Sequence, residues 1–218
     1  MTEPFPLILI SSPEDFADEH ILIESMFKRG LQTFHLRKPR KDTRGMERWL
    51  FELDPELRSH VVVHGFPELV EAFGLAGFHG RDSEHSFSAH SFVELVLAHK
   101  CQYAFLSPIF DSFSKIGHTS QFSELELRRE LAKLALLAPK SIAVFALGGV
   151  YEGNLATIVS MGFSGAAVLG SIWNTADPLG SWNSLRDQSY WVRELEPVQY
   201  PEVESWRTIL QERREGHL

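Results

Sequence analysis

The sequence predicts a single (β/α)8 barrel with a helical tail at its C-terminus, and three observations predict it. Short apolar runs of strand length recur along the chain, each followed by a polar loop and a helical stretch. The runs read as apolar throughout instead of alternating, as expected of strands covered on both faces. Roughly eight such units fit into 218 residues, near the lower size for a closed barrel. Strands that alternate with helices require parallel crossovers. A doubly wound open sheet is the competing architecture. Against it, no G-x-G-x-x-G follows the first run, which ends in SSPED.

The elements follow in order. Residues 6–10 (PLILI) form the first strand, and Ser11-Ser12-Pro13-Glu14 leads into a helix on Ile21, Leu22, Ser25 and Met26 that stops at Gly30. Residues 33–37 form the second strand, with His35 and Arg37 on one face and Phe34 and Leu36 on the other. A helix on Met46, Trp49, Leu50 and Leu53 follows. Residues 61–64 are the third strand, 68–73 a short helix, and 76–80 a brief fourth strand. A very short fifth strand falls at 87–89, before a helix over 91–99 on Phe92, Leu95 and Val96. The sixth strand, residues 103–106, ends at Ser107-Pro108, because proline cannot donate to a sheet ladder. An amphipathic helix over 124–137 carries Leu125, Leu127, Leu131, Leu134 and Leu137. Residues 142–147 form the seventh strand, closed by Gly148-Gly149. A helix over 154–161 then leads to the eighth strand, 166–169, closed by Gly170-Ser171.

The barrel thus spans about residues 6–173 and a helical extension about 174–218, all within one domain, residues 1–218. The extension opens on the turn signal Asp177-Pro178-Leu179-Gly180 and carries Trp182, Tyr190, Trp191 and Trp206. Such an aromatic tail packs on its own barrel or docks a second copy, which would make a homo-oligomer.

Composition narrows the function. The chain is 44% hydrophobic and 23% charged, enough for one sizeable core. Its formal net charge is -8 and no basic block occurs, which argues against nucleic acid and anionic membrane as partners. The start, Met1-Thr2-Glu3-Pro4, lacks a signal-peptide pattern, and no apolar run reaches transmembrane length, so a cytoplasmic location is expected. Cys101 is the only cysteine and rules out an intrachain disulfide or a cysteine metal cluster.

In a barrel of this kind the chemistry lies at the C-terminal strand ends. There the sequence puts Ser11 and Ser12; His35, Arg37 and Lys38; His64; His79 and Asp82; Ser88 and His90; Ser112, Ser114 and Lys115; Gly148 and Gly149; Gly170 and Ser171. Glycines after the last two strands let backbone N–H groups approach an anion, and a phosphate site built from those loops recurs in such barrels. Arg37 and Lys115 at one mouth suit a ligand with several negative charges, such as a diphosphate. Histidines end several strands, but no H-x-H or H-E-x-x-H spacing occurs, so hydrogen-bonded fixtures are expected before a metal centre.

These motifs resemble the thiamine-phosphate synthase family, a (β/α)8 barrel group that includes thiazole tautomerases, from about Leu7 to Trp173. HLRKP at 35–39 is similar to Q-L-R-x-K, GFHGRD at 77–82 to G-V-H-L-G-Q-x-D, and SFSAH at 86–90 to G-V-S-x-H. SPIFDSFSK at 107–115 resembles G-P-x-F-x-T-x-T-K, and FALGGV with GAAVLGSIW resembles A-I-G-G-I with G-V-A-V-x-S-A-I. The resemblance implies an enzyme of thiamine biosynthesis. It would join an aminopyrimidine diphosphate to thiazole phosphate, with Mg2+ helping diphosphate to leave. It implies that Arg37, Ser88 and Lys115 hold diphosphate and that Ser112 and Ser114 serve the thiazole phosphate. Gly149, Gly170 and Ser171 would contribute to the same phosphate site. Asp82 is the one candidate Mg2+ ligand, since His64-Gly65 stands where the family has Asn-Asp. His35 and Pro39 replace the family's Gln and Lys, and Pro108 replaces the tautomerase histidine. His35 and His64 therefore join Arg37 and Lys115 as catalytic candidates. The alternative is a divergent barrel that binds or transforms another phosphorylated heterocycle, its Mg2+ site partly lost.

Overall fold

Eight short runs become strands: β1 (Leu7–Ile10), β2 (Thr33–Leu36), β3 (Val61–His64), β4 (Gly77–His79), β5 (Ser86–Ala89), β6 (Tyr103–Leu106), β7 (Ala143–Leu147) and β8 (Gly165–Val168). In this computed structural model they pair in parallel in chain order, and β8 returns to β1 through Ala167↔Ile8 to close the barrel. The structure describes residues 3–97, 100–111, 122–137 and 142–193. The helices are α1 (Glu19–Phe27), α2 (Thr43–Glu52), α3 (Glu68–Phe73), α4 (Phe92–Leu97), α5 (Glu124–Leu137) and α6 (Leu155–Ser160) between strands, and α7 (Gly170–Trp173) and α8 (Pro178–Val192) after β8. Two helix starts are legible locally. Asp42 accepts from the Gly45 N–H at 2.9 Å to open α2, and Asp177 accepts from the Gly180 N–H at 2.9 Å to open α8, where Pro178 pre-sets the first turn.

Two helix faces differ from the sequence reading. On α1 the buried residues are Glu19, Ile23 and Met26, while Ile21 is 62% exposed. The face rotates because Glu19 is drawn inward by an ion pair described below. On α5 Leu127 and Leu131 are buried and Leu125 is exposed. A one-turn helix, α7, follows β8, and Pro55–His60 forms a 3-10 helix ahead of β3. Of the expected extension, α8 is the described part. It buries Trp182, Leu185 and Val192 while Tyr190 and Trp191 face outward, and the Ser189 carbonyl accepts from the Phe5 N–H at 3.0 Å. Among the described residues no helix is long and apolar enough to cross a membrane.

The layer between strands and helices is largely apolar, built on residues such as Phe34, Leu36, Met46, Trp49, Leu50 and Val63. The space inside the barrel is divided. Ile8 and Ile10 from β1, Tyr103 and Phe105 from β6, Phe145 from β7 and Ala167 from β8 make an apolar wall. Gly165 is part of that wall's geometry. A Cβ there would stand 2.2 Å from the Phe145 ring and 2.8 Å from the Pro6 carbonyl, so only a bare backbone admits the ring. The opposite wall, from β2 to β5, presents His35, His64, His79, Ser86 and Ser88. Inward-facing polar residues on β4 and β5 depart from the uniformly apolar strands that the sequence suggested.

Candidate functional site

Alternation along the strands puts His35, His64 and His79 inside the barrel; register pairs His35 with Val62, two residues before His64 on the same inward face. His64 and His79 are direct partners across β3 and β4. Their rings stack with centroids 4.3 Å apart. His35 Nδ1 lies 2.9 Å from His64 Nε2, and His35 Nε2 lies 2.5 Å from the Tyr103 hydroxyl, which reaches across from β6. His79 is held by two hydroxyls, with Nδ1 2.9 Å from Ser86 Oγ and Nε2 2.9 Å from Ser88 Oγ. Phe105 closes the floor, its ring centroid 5.0 Å from that of His35 and 5.3 Å from that of His79.

The cluster is neutral. Burial pushes His35 well below the usual imidazole range, and its histidine neighbours push it further. Burial, then the neighbouring His79 and Arg37, bring His64 down to about 2. Burial, then Arg37 and His85, bring His79 down to about 4. The Tyr103 hydroxyl is pushed up by burial. A neutral imidazole has one N–H and one bare nitrogen. The Tyr103–His35–His64 chain can therefore be satisfied in either direction. Tyr103 can donate to His35 and His35 to His64, or the protons can run the other way. His35 is fully buried, while His64 is partly exposed at the mouth.

Arg37 stands just past β2, exposed, and close enough to depress both His64 and His79. Its backbone is pinned on both sides by Ser11. The Arg37 N–H donates to Ser11 Oγ at 2.8 Å, and that hydroxyl donates to the Arg37 carbonyl at 2.9 Å. The other cations of this loop are committed elsewhere. Lys38 is buried and donates to Glu19 at 2.6 and 2.7 Å and to the Glu14 carbonyl at 3.0 Å. Arg40 pairs with Glu14 at 2.8 Å and Lys41 with Asp15 at 2.5 Å. No carboxylate among the described residues pairs with Arg37.

The remaining candidates divide. Ser88 joins the cluster through His79. Gly149 takes φ +64, and a Cβ there would meet the Asp111 carbonyl at 2.5 Å, so the turn after β7 is pressed against the loop after β6. Gly170 opens α7, and the buried Ser171 hydroxyl lines a groove of about 640 Å³ with Tyr151, Thr175, Ser181 and Leu185. Asp82 lies in the loop after β4 and lines a separate pocket of about 470 Å³ with Arg81, Glu84, Glu94 and Lys100. His90 binds the Ser107 carbonyl at 3.0 Å. Ser112, Ser114 and Lys115 lie outside the described residues. Tyr103 and Ser86 belong to the site and were not singled out from sequence. The available signal was their two-residue spacing from Phe105 and Ser88, which repeats the inward face of each strand.

No family model matches the chain, and no curated protein matches it in sequence. Among solved structures it is similar to thiamine phosphate pyrophosphorylase from Bacteroides thetaiotaomicron, with 30% identity and a TM-score of 0.70, over 84% of this chain and 96% of that one. The chain is a relative of the thiamine phosphate pyrophosphorylases. The Pyrococcus furiosus thiamine phosphate pyrophosphorylase shares the fold at 18% identity and a TM-score of 0.70, over 86% of this chain and 96% of that one. A BexX/CysO complex from Amycolatopsis orientalis shares it at 12% identity and a TM-score of 0.56, over 88% and 93%. For this relative the Mg2+ implied by the motifs is a poor fit to the residues present. Mg2+ takes hard oxygen ligands. Here three imidazoles occupy the strand ends, and the single carboxylate candidate, Asp82, faces a different pocket.

Proposed function

We propose that the chain is a barrel transferase of the thiamine-phosphate synthase type that holds a phosphorylated substrate at Arg37. The reading rests on one observation above all. Arg37 is the cation of its loop with no carboxylate partner among the described residues, fixed at the mouth of an acidic protein. A guanidinium so placed presents a planar fork to phosphate oxygens. Ser88 adds a hydroxyl on His79, a ring that also lies within the field of Arg37, and the neutral histidines line the site. In this reading the aminopyrimidine diphosphate loses diphosphate to Arg37 and the hydroxyls. The thiazole phosphate then attacks the exposed carbon. Most of the catalysis is placement and charge stabilisation. No step is assigned to Mg2+, because the described residues at the histidine cluster offer it no carboxylate set.

Purified protein given both substrates should form thiamine phosphate, and Arg37→Ala should lower kcat/KM by about a hundredfold, as for loss of one transition-state anion contact. No product across pH and divalent cations would remove the synthase reading. A second reading has its own support. The hydrogen-bonded run from buried Tyr103 through His35 to His64 could carry a proton to another phosphorylated heterocycle. A turnover rate unchanged in both His64→Asn and Tyr103→Phe would reject it.

A further inference from the structure

We propose that His35, His64 and His79 form a site for one late first-row divalent metal ion, such as zinc, cobalt or nickel, at the floor of the barrel mouth. One ligating nitrogen from each ring lies within 4.8 Å of the other two. The three come from the adjacent strands β2, β3 and β4, so the sheet holds their backbones.

The donor chemistry selects the metal. Three imidazoles without a carboxylate suit borderline ions and disfavour magnesium and calcium. Three protein nitrogens with an open side toward solvent is the arrangement of catalytic zinc sites. Geometry requires little change. With metal–nitrogen distances of about 2.0–2.1 Å, two nitrogens on one tetrahedral ion stand roughly 3.4 Å apart. His35 Nδ1 and His64 Nε2 start at 2.9 Å, so they part slightly while His79 closes in.

Two of the three rings already have an outer partner. A ligating histidine normally passes its other N–H to an oxygen. His35 Nε2 faces the Tyr103 hydroxyl, and His79 has a serine hydroxyl at each nitrogen, one to keep and one to release. Ligation displaces no ring proton, because the rings are already neutral, but it breaks the His35–His64 hydrogen bond and one of the two serine bonds of His79. The nearby Arg37 cation opposes a second positive centre, so an anion bridging metal and Arg37 should tighten the metal. The same coupling runs in reverse.

The inference is independent of the substrate reading, since ligation is measured without turnover. The full chain, stripped with a chelator, is titrated with Co2+ and followed by visible absorption, with Zn2+ competition and equilibrium dialysis giving the stoichiometry. One equivalent should bind and produce ligand-field bands, and excess Mg2+ should not displace it. His64→Ala and His79→Ala should each weaken binding by about a hundredfold or more, and Tyr103→Phe by about tenfold. His60→Ala, on an exposed ring bonded to the Gln32 carbonyl, should leave it unchanged. Inorganic phosphate should strengthen Co2+ binding in the parent and not in Arg37→Ala. No cobalt bands in the parent, or equal binding by the His64 and His79 variants, would overturn the site whatever happens to turnover. Circular dichroism distinguishes an unfolded variant from a folded one that cannot bind. If both variants unfold, His64→Gln and His79→Gln, which keep a neutral polar side chain, replace them, and unchanged cobalt bands and affinity in both would overturn the site.

Discussion

Three clustered imidazoles tie stability to pH through the difference between folded and unfolded protonation. In the metal-free chain each ring titrates below the ordinary value of 6.5, His79 at about 4 and His64 at about 2, with His35 also held well below it. Above that value both states are neutral and these groups contribute nothing. As pH falls through it, the unfolded chain takes up protons that the folded chain refuses. Stability then drops by up to ~1.4 kcal/mol per pH unit for each ring. The loss due to His79 levels off near pH 4, and that due to His64 only near pH 2. Urea midpoints should therefore fall between pH 7 and pH 4.5, and His79→Asn should flatten that slope. Midpoints that stay level down to pH 4.5 would contradict the buried, neutral cluster.

At the scale of elements, one buried latch positions Arg37. Glu19 from α1 and Lys38 from the loop after β2 meet at 2.6 Å, both almost fully buried, and Trp49 Nε1 from α2 donates to the same carboxylate at 3.1 Å. The pair ties α1, α2 and the β2 loop together one residue from Arg37. Removing one partner strands the other as a buried charge, at a cost of about 3–5 kcal/mol. Lys38→Met should lower stability by that order in denaturant melts. The double change Lys38→Met with Glu19→Leu should recover part of it. A double variant no more stable than Lys38→Met would mean that the latch's geometry, and not its charge balance, carries the effect.

For the molecule as a whole, closure depends on filling the barrel interior without crowding it. The Phe145 ring lies against the bare backbone of Gly165, on the strand that closes onto β1. Gly165→Ala should cost about 1–3 kcal/mol through overpacking, and Phe145→Leu in the same chain should relieve it. Additive losses in a double-mutant cycle would show that the two positions are not coupled. The apolar wall that this contact completes faces the histidine wall, so one barrel interior serves both closure and chemistry.

Local patterns along the chain are enough to specify the barrel. Apolar runs of strand length, helices between them and turn residues at their ends are local signals, and all eight strands form where those runs lie. Sequence also marked the strand-end residues Arg37, His35, His64, His79 and Ser88 as facing a mouth. It could not show which of them meet. His35 and His79 are 44 positions apart in the chain, and only sheet register puts their rings together. Spacing rules for metal motifs look for ligands on one helix or loop, so three histidines on three strands carry no such signature. Tyr103 read as part of an apolar strand because its partner lies across the barrel. Burial of Lys38 beside exposed Arg37 was likewise invisible, since two adjacent cations look alike until α1 brings Glu19 to one of them. Tertiary structure decided these pairings, because contact across a closed barrel depends on register and shear, which no local pattern encodes.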